Sequence, residues 1–244
     1  CRSMCNVIAY AMRKYRQRGF ETTIEIEVIC VIFDKKMLAL YAITDRKCIG
    51  EKGLEYSVEQ ALYGGATIVQ LRDKGANIDT LCKEADSLLK ICQRYGAPLI
   101  INDNAEVVLK TGADGVHLGQ SDMELAHARE ILGNDKIIGG SARTVELAKK
   151  AEESGADYIG CGAVFGTLTK SDAKYIGTQR LKEICTSLSI PVVAIGGVNA
   201  GNISQLEGCK ISGVAVVSAL FGAENVYTSA QELRKLADSV IYGG

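Results

Sequence analysis

The sequence has little of what marks nucleic-acid-binding or membrane proteins. Its 244 residues carry 28 basic and 29 acidic side chains, so no overall positive field favours nucleic acid or an anionic membrane. The longest apolar stretch near the start, Ile24 to Phe33, contains Glu25 and Glu27 and is too short to span a bilayer. We therefore expect small-molecule partners, with neither nucleic acid nor a membrane among them.

Paired-cysteine motifs are also missing. The nine cysteines include no CxxC pair, their number is odd, and several stand within apolar runs, where cysteine behaves as a small hydrophobic residue. No secretory signal is recognisable before them, which favours a reducing compartment. We expect free thiols and a cytoplasmic protein.

Proline and tryptophan are scarce, at two and none, whereas 26 glycines stand largely where apolar runs end. Continuous apolar runs are typical of parallel strands that are covered on both faces. Glycine at the end of such runs suits a fold with many turns between strands and helices. The predicted strands are 38–44, 66–72, 98–102, 114–119, 136–141, 157–162, 191–197 and 213–218.

Helix-like segments with apolar residues every three or four positions, such as 78–95 and 144–154, lie between these runs, which recur about every 25 residues. Eight strand–helix units predict a (β/α)8 TIM barrel in a single α/β domain. The competing doubly wound sheet usually has a glycine-rich turn after its first strand, and none follows Thr44.

The first 36 residues do not share this pattern. Four basic residues between positions 13 and 18 and a strand-like segment precede Met37, which we interpret as a plausible native start. We expect residues 1–36 to be an extension of unknown role and residues 37–244 to be the catalytic domain. A targeting or nucleic-acid-binding arm is the alternative, although the basic cluster is short.

Charged residues stand at the carboxyl ends of several predicted strands, which is where TIM barrels carry their chemistry. Arg72, Lys74 and Lys170 are three cations that would converge on one mouth, which predicts a polyanionic ligand such as a diphosphate. Asp103 and Asp122 are carboxylates on neighbouring loops. Hard oxygen ligands in small number suit Mg²⁺, which takes its remaining ligands from water and substrate phosphate.

A second anion site is predicted after the last two strands. Gly196, Gly197, Val217 and Ser218 offer backbone N–H groups with little steric cover, as in barrels that bind a phosphate group there. Gln70 ends a buried strand, and its amide would need partners such as a heterocycle.

Each of these residues also has an ordinary structural interpretation. A single cation is usually a solvated surface charge, Asp103 could cap a helix at 105–110, Ser141 could be a cap, and Gly196–Gly197 could be a tight turn. We assign His117 mainly to structure because it lies inside the fourth predicted strand. His127 is expected on an exposed helix.

Seven motifs in order resemble the thiamine phosphate synthase family. The motifs are QLRDKG at 70–75, INDN at 101–104, GVHLGQSD at 115–122, GGSART at 139–144, GTLTKSD at 166–172, AIGGV at 194–198 and VVSA at 216–219, and the resemblance as a whole extends from about Leu38 to Asn225. The resemblance implies a transferase that joins a pyrimidine methyl diphosphate to a thiazole phosphate, with Mg²⁺ as cofactor.

The resemblance also implies residue roles. The first motif, from Gln70 through Leu71, Arg72, Asp73 and Lys74, would bind the pyrimidine diphosphate, with Gln70 at the pyrimidine. The residues that would hold the diphosphate are Arg72, Lys74, Asn102, Ser141 and Lys170, of which all but Asn102 would be catalytic. Those that would bind Mg²⁺ are Asp103 and Asp122. Those that would bind the thiazole phosphate are Thr167, Leu168, Thr169, Lys170, Gly197, Val217 and Ser218.

The sequence departs from the family pattern at a few positions. Arg143 stands where histidine is common, Ala163 and Gly166 stand where proline is common, and Asn104 replaces a third carboxylate. Two other functions stay open. A thiazole tautomerase of the same superfamily would need no diphosphate site, and a non-catalytic phosphate-binding barrel would need no metal carboxylates.

Overall fold

The computed structural model describes residues 33–166 and 175–243, which form a closed barrel of eight parallel strands in chain order, each paired with its two neighbours. The predicted TIM barrel is confirmed. The strands are β1 Leu40–Ile43, β2 Ile68–Leu71, β3 Leu99–Asn102, β4 Gly115–Leu118, β5 Ile137–Ala142, β6 Tyr158–Gly162, β7 Val192–Ile195 and β8 Gly213–Val216.

The described helices surround this barrel. They are α1 Arg46–Ile49, α2 Leu54–Tyr63, α3 Ile78–Arg94, α4 Ala105–Thr111, α5 Leu125–Leu132, α6 Val145–Glu153, α7 Gly177–Ser187, α8 Ser218–Phe221 and α9 Val226–Tyr242. Short 3₁₀ segments cover Lys35–Leu38, Gly50–Lys52 and Ile203–Leu206, the last of which stands between β7 and β8. Among these helices, none is long and apolar enough to cross a membrane.

Side chains alternate between the two faces of each strand, so the hydrophobic core has two parts. One cluster fills the space between the barrel and the helices, and it contains Leu71 and Ile101. The other lies inside the barrel and contains Tyr41, Ile100 and Tyr158. Because successive strand residues point to opposite faces, each run is apolar throughout, as the sequence predicted.

The eight predicted strands are each found, shorter than predicted or shifted by a residue at their ends. The predicted helices at 78–95 and 144–154 correspond to α3 and α6. One residue before the predicted start of the catalytic domain also packs against the barrel interior. Phe33 packs against the interior cluster, and its ring stacks on that of Tyr158 with centroids 6.2 Å apart. Phe33 therefore contributes to the barrel interior, whereas residues 1–32 lie outside the described part of the chain, and the division between residues 36 and 37 stays a prediction.

Phe33→Ala is expected to destabilise the barrel by about 1–2 kcal/mol, because Phe33 buries only part of its ring. Urea unfolding would measure the loss, with exposed Lys35→Ala as the control. A stability equal to that of the unmutated protein would show that Phe33 contributes nothing to the fold.

Candidate active site

Arg72 lies directly after β2 and is fixed there from two sides. Its guanidinium Nη1 donates to Asp45 Oδ2 at 2.9 Å, and its backbone N–H donates to Thr44 Oγ1 at 2.8 Å. Both side chains of the ion pair are largely buried. Asp45 also accepts from the N–H groups of Lys47 and Cys48 at the start of α1. The loop after β1 thus holds Arg72 at the barrel mouth.

The other residues of the first motif take different positions. Gln70 is buried and points into the barrel, Lys74 is exposed, and Leu71 lies in the outer cluster, so its side chain faces away from the interior. Asp73 is bound by Arg46 Nε at 2.8 Å and by Gly75 N–H at 3.0 Å. Although burial acts to raise the pKa of Asp73, these hydrogen bonds hold it below its usual value.

Asp103 and Asp122 come together from the loops after β3 and β4. Burial of the Asp103 carboxyl and its contact with Asp122 raise the pKa of Asp103, while a hydrogen bond from Asn102 and the charge of Lys74 oppose the rise. Asp103 adopts a left-handed backbone conformation, with φ of 61°, which is uncommon outside glycine. The predicted carboxylate pair is therefore assembled, beside one predicted cation.

Asp103 is not the cap of the following helix. That role belongs to Asn104, whose side-chain oxygen accepts from the N–H of Val107 at 3.1 Å. The Asp103 carboxylate is thereby left for another purpose. Asn104, which departs from the family pattern, therefore has a structural role as the helix cap.

The loop after β4 holds Asp122 in place. Gly119 N–H donates to Asp122 Oδ2 at 2.7 Å, and a side chain at Gly119 would press on this carboxylate. Gln120 donates to the backbone oxygen of Ser141, tying the loop to β5. Arg143, after β5, is exposed. Within residues 33–166 and 175–243, no three His, Cys, Asp or Glu side chains gather closely enough to hold a metal ion.

A chain of hydrogen bonds crosses the barrel interior. Gln70 Nε2 donates to Tyr41 Oη at 2.8 Å, and Tyr41 Oη lies 2.8 Å from Tyr158 Oη. Tyr158 Oη lies 3.0 Å from His117 Nδ1, and His117 Nε2 lies 2.9 Å from Ser141 Oγ. We call these five residues the interior chain. It connects two predicted substrate-binding residues, Gln70 on β2 and Ser141 on β5.

The sequence analysis did not identify Tyr41, Tyr158 or Asp45 as site residues. His117 lies within β4, as predicted, but its contact with Ser141 was not predicted. His127 is on an exposed helix, as predicted. Ser141 is not a cap, because it lies within β5 and points into the barrel. One available signal was the presence of tyrosine in runs that are otherwise apolar, since a buried hydroxyl needs a partner.

Two glycines make room for the interior chain. A Cβ atom at Gly139 of β5 would overlap the hydroxyl end of Tyr158 and His117 Nδ1. One at Gly160 of β6 would come within 3.0 Å of His117 Cε1. Gly139 and Gly160 are thus explained by the large side chains beside them.

Gly139→Ala is therefore expected to lower the free energy of unfolding by about 1–3 kcal/mol, because a packed closed barrel has little room to relax. Denaturant titration would measure the change. Gly75→Ala is the matched control, since its nearest non-neighbouring atom would lie at an ordinary 3.6 Å. If both variants are as stable as the unmutated protein, the interior is looser than described.

Glycines also shape the mouth after β7. Gly196 and Gly197 have φ of 95° and 71°, and a side chain at Gly197 would collide with the backbone of Gly166. The carbonyl oxygen of Gly197 accepts from Asn202 Nδ2 at 2.8 Å. Glycine adopts these φ values readily, as a tight turn requires, and the lack of side chains leaves the backbone open to close approach by a ligand.

The loop after β8 completes this side of the mouth. Val217 packs against the interior cluster, and exposed Ser218 begins α8. Lys52 Nζ donates to the backbone oxygens of Phe221 at 3.3 Å and Ala223 at 2.5 Å, so it fixes the far end of α8. The remaining predicted site residues, Thr167, Leu168, Thr169 and Lys170, lie outside the described residues.

The cysteines described by the structure are free, as predicted, and they are Cys48, Cys82, Cys92, Cys161, Cys185 and Cys209. Burial raises the pKa of the Cys161 thiol to about 12. Cys92 and Cys185 are shifted to about the same value, also mainly by burial. Thiols with raised pKa values are poor nucleophiles, so these three are structural.

Comparison with known proteins gives consistent matches. A sequence profile of thiamine monophosphate synthase matches residues 40–220. A thiamine-phosphate synthase of Ruminiclostridium cellulolyticum is 48% identical over 197 residues, which are 81% of this chain and 94% of the relative. One from Clostridium acetobutylicum is 45% identical over 192 residues, covering 79% and 91%.

A solved structure agrees with these sequence matches. The thiamine phosphate pyrophosphorylase of Pyrococcus furiosus superposes with a TM-score of 0.79 at 41% identity, covering 85% of this chain and 98% of that one. Matches of this identity and coverage extend over nearly the whole described barrel, including the loops at its mouth. The chain belongs to the thiamine monophosphate synthase family.

Proposed function

We propose that this chain couples 4-amino-2-methyl-5-(diphosphooxymethyl)pyrimidine with 4-methyl-5-(2-phosphoethyl)thiazole to give thiamine phosphate and pyrophosphate. The observation that carries the proposal is the division of the barrel mouth. The diphosphate half, after β2 to β5, has Arg72, Lys74, Asp103 and Asp122. The phosphate half, after β6 to β8, includes Gly197 and Ser218.

Arg72 would hold the diphosphate. Its ion pair with Asp45 uses Nη1, and a guanidinium has five N–H donors in all, so donors remain for a second anion. Asp45 would keep the guanidinium facing the mouth when no substrate is bound. Lys74, Asn102, Ser141 and Lys170 would provide the remaining contacts.

The carboxylate pair fits a divalent cation. Two adjacent carboxylates, one with its pKa raised by burial and by the other, are stabilised when a dication neutralises them. Asp103 and Asp122 would be ligands, and Mg²⁺ readily takes its other ligands from water and phosphate oxygens. When bound there, Mg²⁺ would supply positive charge to the diphosphate as it departs.

The chain's residues would act mainly on the leaving group. As the carbon–oxygen bond breaks, its electron pair goes to the diphosphate, and Arg72, Lys74 and Lys170 would stabilise the growing negative charge. The pyrimidine-methyl cation shares its charge with the ring and its amino group. The thiazole nitrogen, held by the phosphate half, then donates its lone pair to form the carbon–nitrogen bond. No protein nucleophile is needed.

Gln70 donates one amide hydrogen to Tyr41, and it would bind the pyrimidine through the remaining hydrogen and the oxygen of its amide. The phosphate half would bind the thiazole phosphate through the N–H of Gly197, the loop at Val217 and Ser218, and residues 167–170. A tautomerase would use this half alone, whereas the charged diphosphate half favours the synthase.

Incubating the protein with both substrates and titrating Mg²⁺ tests the proposal. We expect pyrophosphate and thiamine phosphate to form in equal amounts, and only when the diphosphate, the thiazole phosphate and Mg²⁺ are all present. Conversion of a thiazole phosphate without pyrophosphate release would identify a tautomerase. Binding without any product would identify a non-catalytic barrel.

A further inference from the structure

The interior chain has a direction that follows from counting its hydrogens. Tyr41 and Tyr158 are essentially inaccessible to solvent, with 1% and 0% of their surface exposed. Burial raises the pKa of both phenols, so each keeps its single hydrogen at neutral pH. A buried hydroxyl needs an acceptor for that hydrogen, because leaving it unpaired is costly.

The series of hydrogen bonds begins at the amide of Gln70. Its Nε2 can only donate, so Tyr41 Oη is the acceptor of that bond. The hydrogen of Tyr41 is then directed to Tyr158 Oη, its other partner among the described residues. Tyr158 in turn donates to His117 Nδ1. A ring nitrogen that accepts carries no hydrogen, so in neutral His117 the hydrogen is on Nε2.

We propose that the interior chain fixes neutral His117 as the Nε2–H tautomer and thereby makes Ser141 a hydrogen-bond donor towards the bound substrate. His117 Nε2–H donates to Ser141 Oγ over 2.9 Å. The Ser141 hydroxyl hydrogen then points elsewhere and is available for an acceptor atom such as a diphosphate oxygen. Tyr158 and His117 are positioning residues in this arrangement.

The hydrogen bond between His117 and Ser141 has the opposite direction to the one between a nucleophilic serine and its histidine base. There, histidine accepts the hydroxyl hydrogen, whereas here it donates to the oxygen. Ser141 therefore binds rather than attacks, which agrees with a reaction that needs no protein nucleophile. The substrate part of this inference rests on the proposed function, while the tautomer belongs to the protein alone.

Nitrogen-15 spectroscopy of histidine tests the tautomer directly. The protein has two histidines, so His127→Gln leaves only the nitrogen signals of His117. The substitution does not touch the barrel interior, since His127 lies on exposed α5. Above the ordinary pKa of histidine, we expect Nε2 to show the shift of a protonated nitrogen and Nδ1 that of an unprotonated one. The reverse pattern would overturn the inference.

Two tyrosine variants, made in the His127→Gln background, test the direction. Tyr158→Phe removes the hydroxyl that donates to His117, and we expect the two tautomers to become mixed. Tyr41→Phe leaves Tyr158 with its donation to His117, so the Nε2–H tautomer should persist. Unchanged nitrogen shifts in Tyr158→Phe would show that the interior chain does not set the tautomer.

Steady-state kinetics completes the test. Loss of one positioned hydrogen bond predicts that Tyr158→Phe lowers kcat by about two- to tenfold. The KM for the thiazole phosphate, bound on the other half of the mouth, should change little. Tyr95→Phe, at the partly exposed end of α3, is the matched control. A normal kcat in Tyr158→Phe would overturn the link to Ser141. Absence of pyrophosphate release from the unmutated protein would overturn the proposed function and leave the tautomer result standing.

Discussion

Asp103→Asn and Asp122→Asn are each expected to abolish Mg²⁺-dependent formation of thiamine phosphate while leaving thiazole phosphate binding nearly unchanged. The two carboxylates lie together, so removing one leaves too little negative charge for a dication. Pyrophosphate release measured across a Mg²⁺ titration would show the loss. Full activity of either variant at low Mg²⁺ would contradict the metal assignment.

The same Asp103→Asn variant should lose activity but gain stability. An acid whose pKa is raised in the folded state binds its proton more tightly there, so its ionisation at higher pH destabilises the fold. Asparagine removes that penalty, and we expect the metal-free variant to be more stable at neutral pH by less than about 1 kcal/mol. The exposed Asp135→Asn is the control.

Metal binding separates the two effects further. Added Mg²⁺ should raise the Tm of the unmutated protein, because a ligand that binds only the folded state stabilises it. It should not raise that of Asp103→Asn. A variant that is both less stable and still stabilised by Mg²⁺ would mean that Asp103 supports the loop instead of the metal.

Arg72→Gln is expected to lower kcat by about a hundred- to a thousandfold. The guanidinium would stabilise charge that develops on the departing diphosphate, and loss of one such contact typically costs about 2.7–4 kcal/mol of transition-state stabilisation. The KM for the thiazole phosphate should change much less. Kinetics with each substrate varied in turn would measure both effects.

Two further variants sharpen this second prediction. Lys170→Ala, proposed to act on the same charge, should give a similar loss. Arg94→Gln removes an exposed arginine that pairs with Glu59 and should leave kcat unchanged. If Arg72→Gln raises only the KM for the pyrimidine diphosphate, Arg72 binds the ground state and the transition state equally.

The fold was predictable from the sequence because a parallel barrel needs eight apolar runs, and each run is continuous and ends in small or polar residues. The candidate site was predictable in part for the same reason. Strand ends meet at one mouth, so Asp103 and Asp122 could be paired before their contact was known. Their backbone setting, with Asp103 left-handed and Asn104 as the cap, depends on φ values that residue type alone does not fix.

The interior chain could not be predicted, because it depends on register. Tyr41, Tyr158 and His117 come from β1, β6 and β4, and their hydroxyl and ring atoms meet only after the barrel closes. The contribution of Phe33 could not be predicted for a related reason. Phe33 belongs to no strand or helix, and only its packing on Tyr158 shows that it is part of the barrel.

The glycines beside the interior chain limit how this barrel can diverge. Because Gly139 and Gly160 leave space that Tyr158 and His117 occupy, a larger residue at either glycine would need a smaller partner to accompany it. Substitutions at these four positions should therefore be coupled across related sequences. A relative that gains a side chain on β5 at this level is expected to have lost the tyrosine or the histidine, and with it the hydrogen-bonded link to the serine.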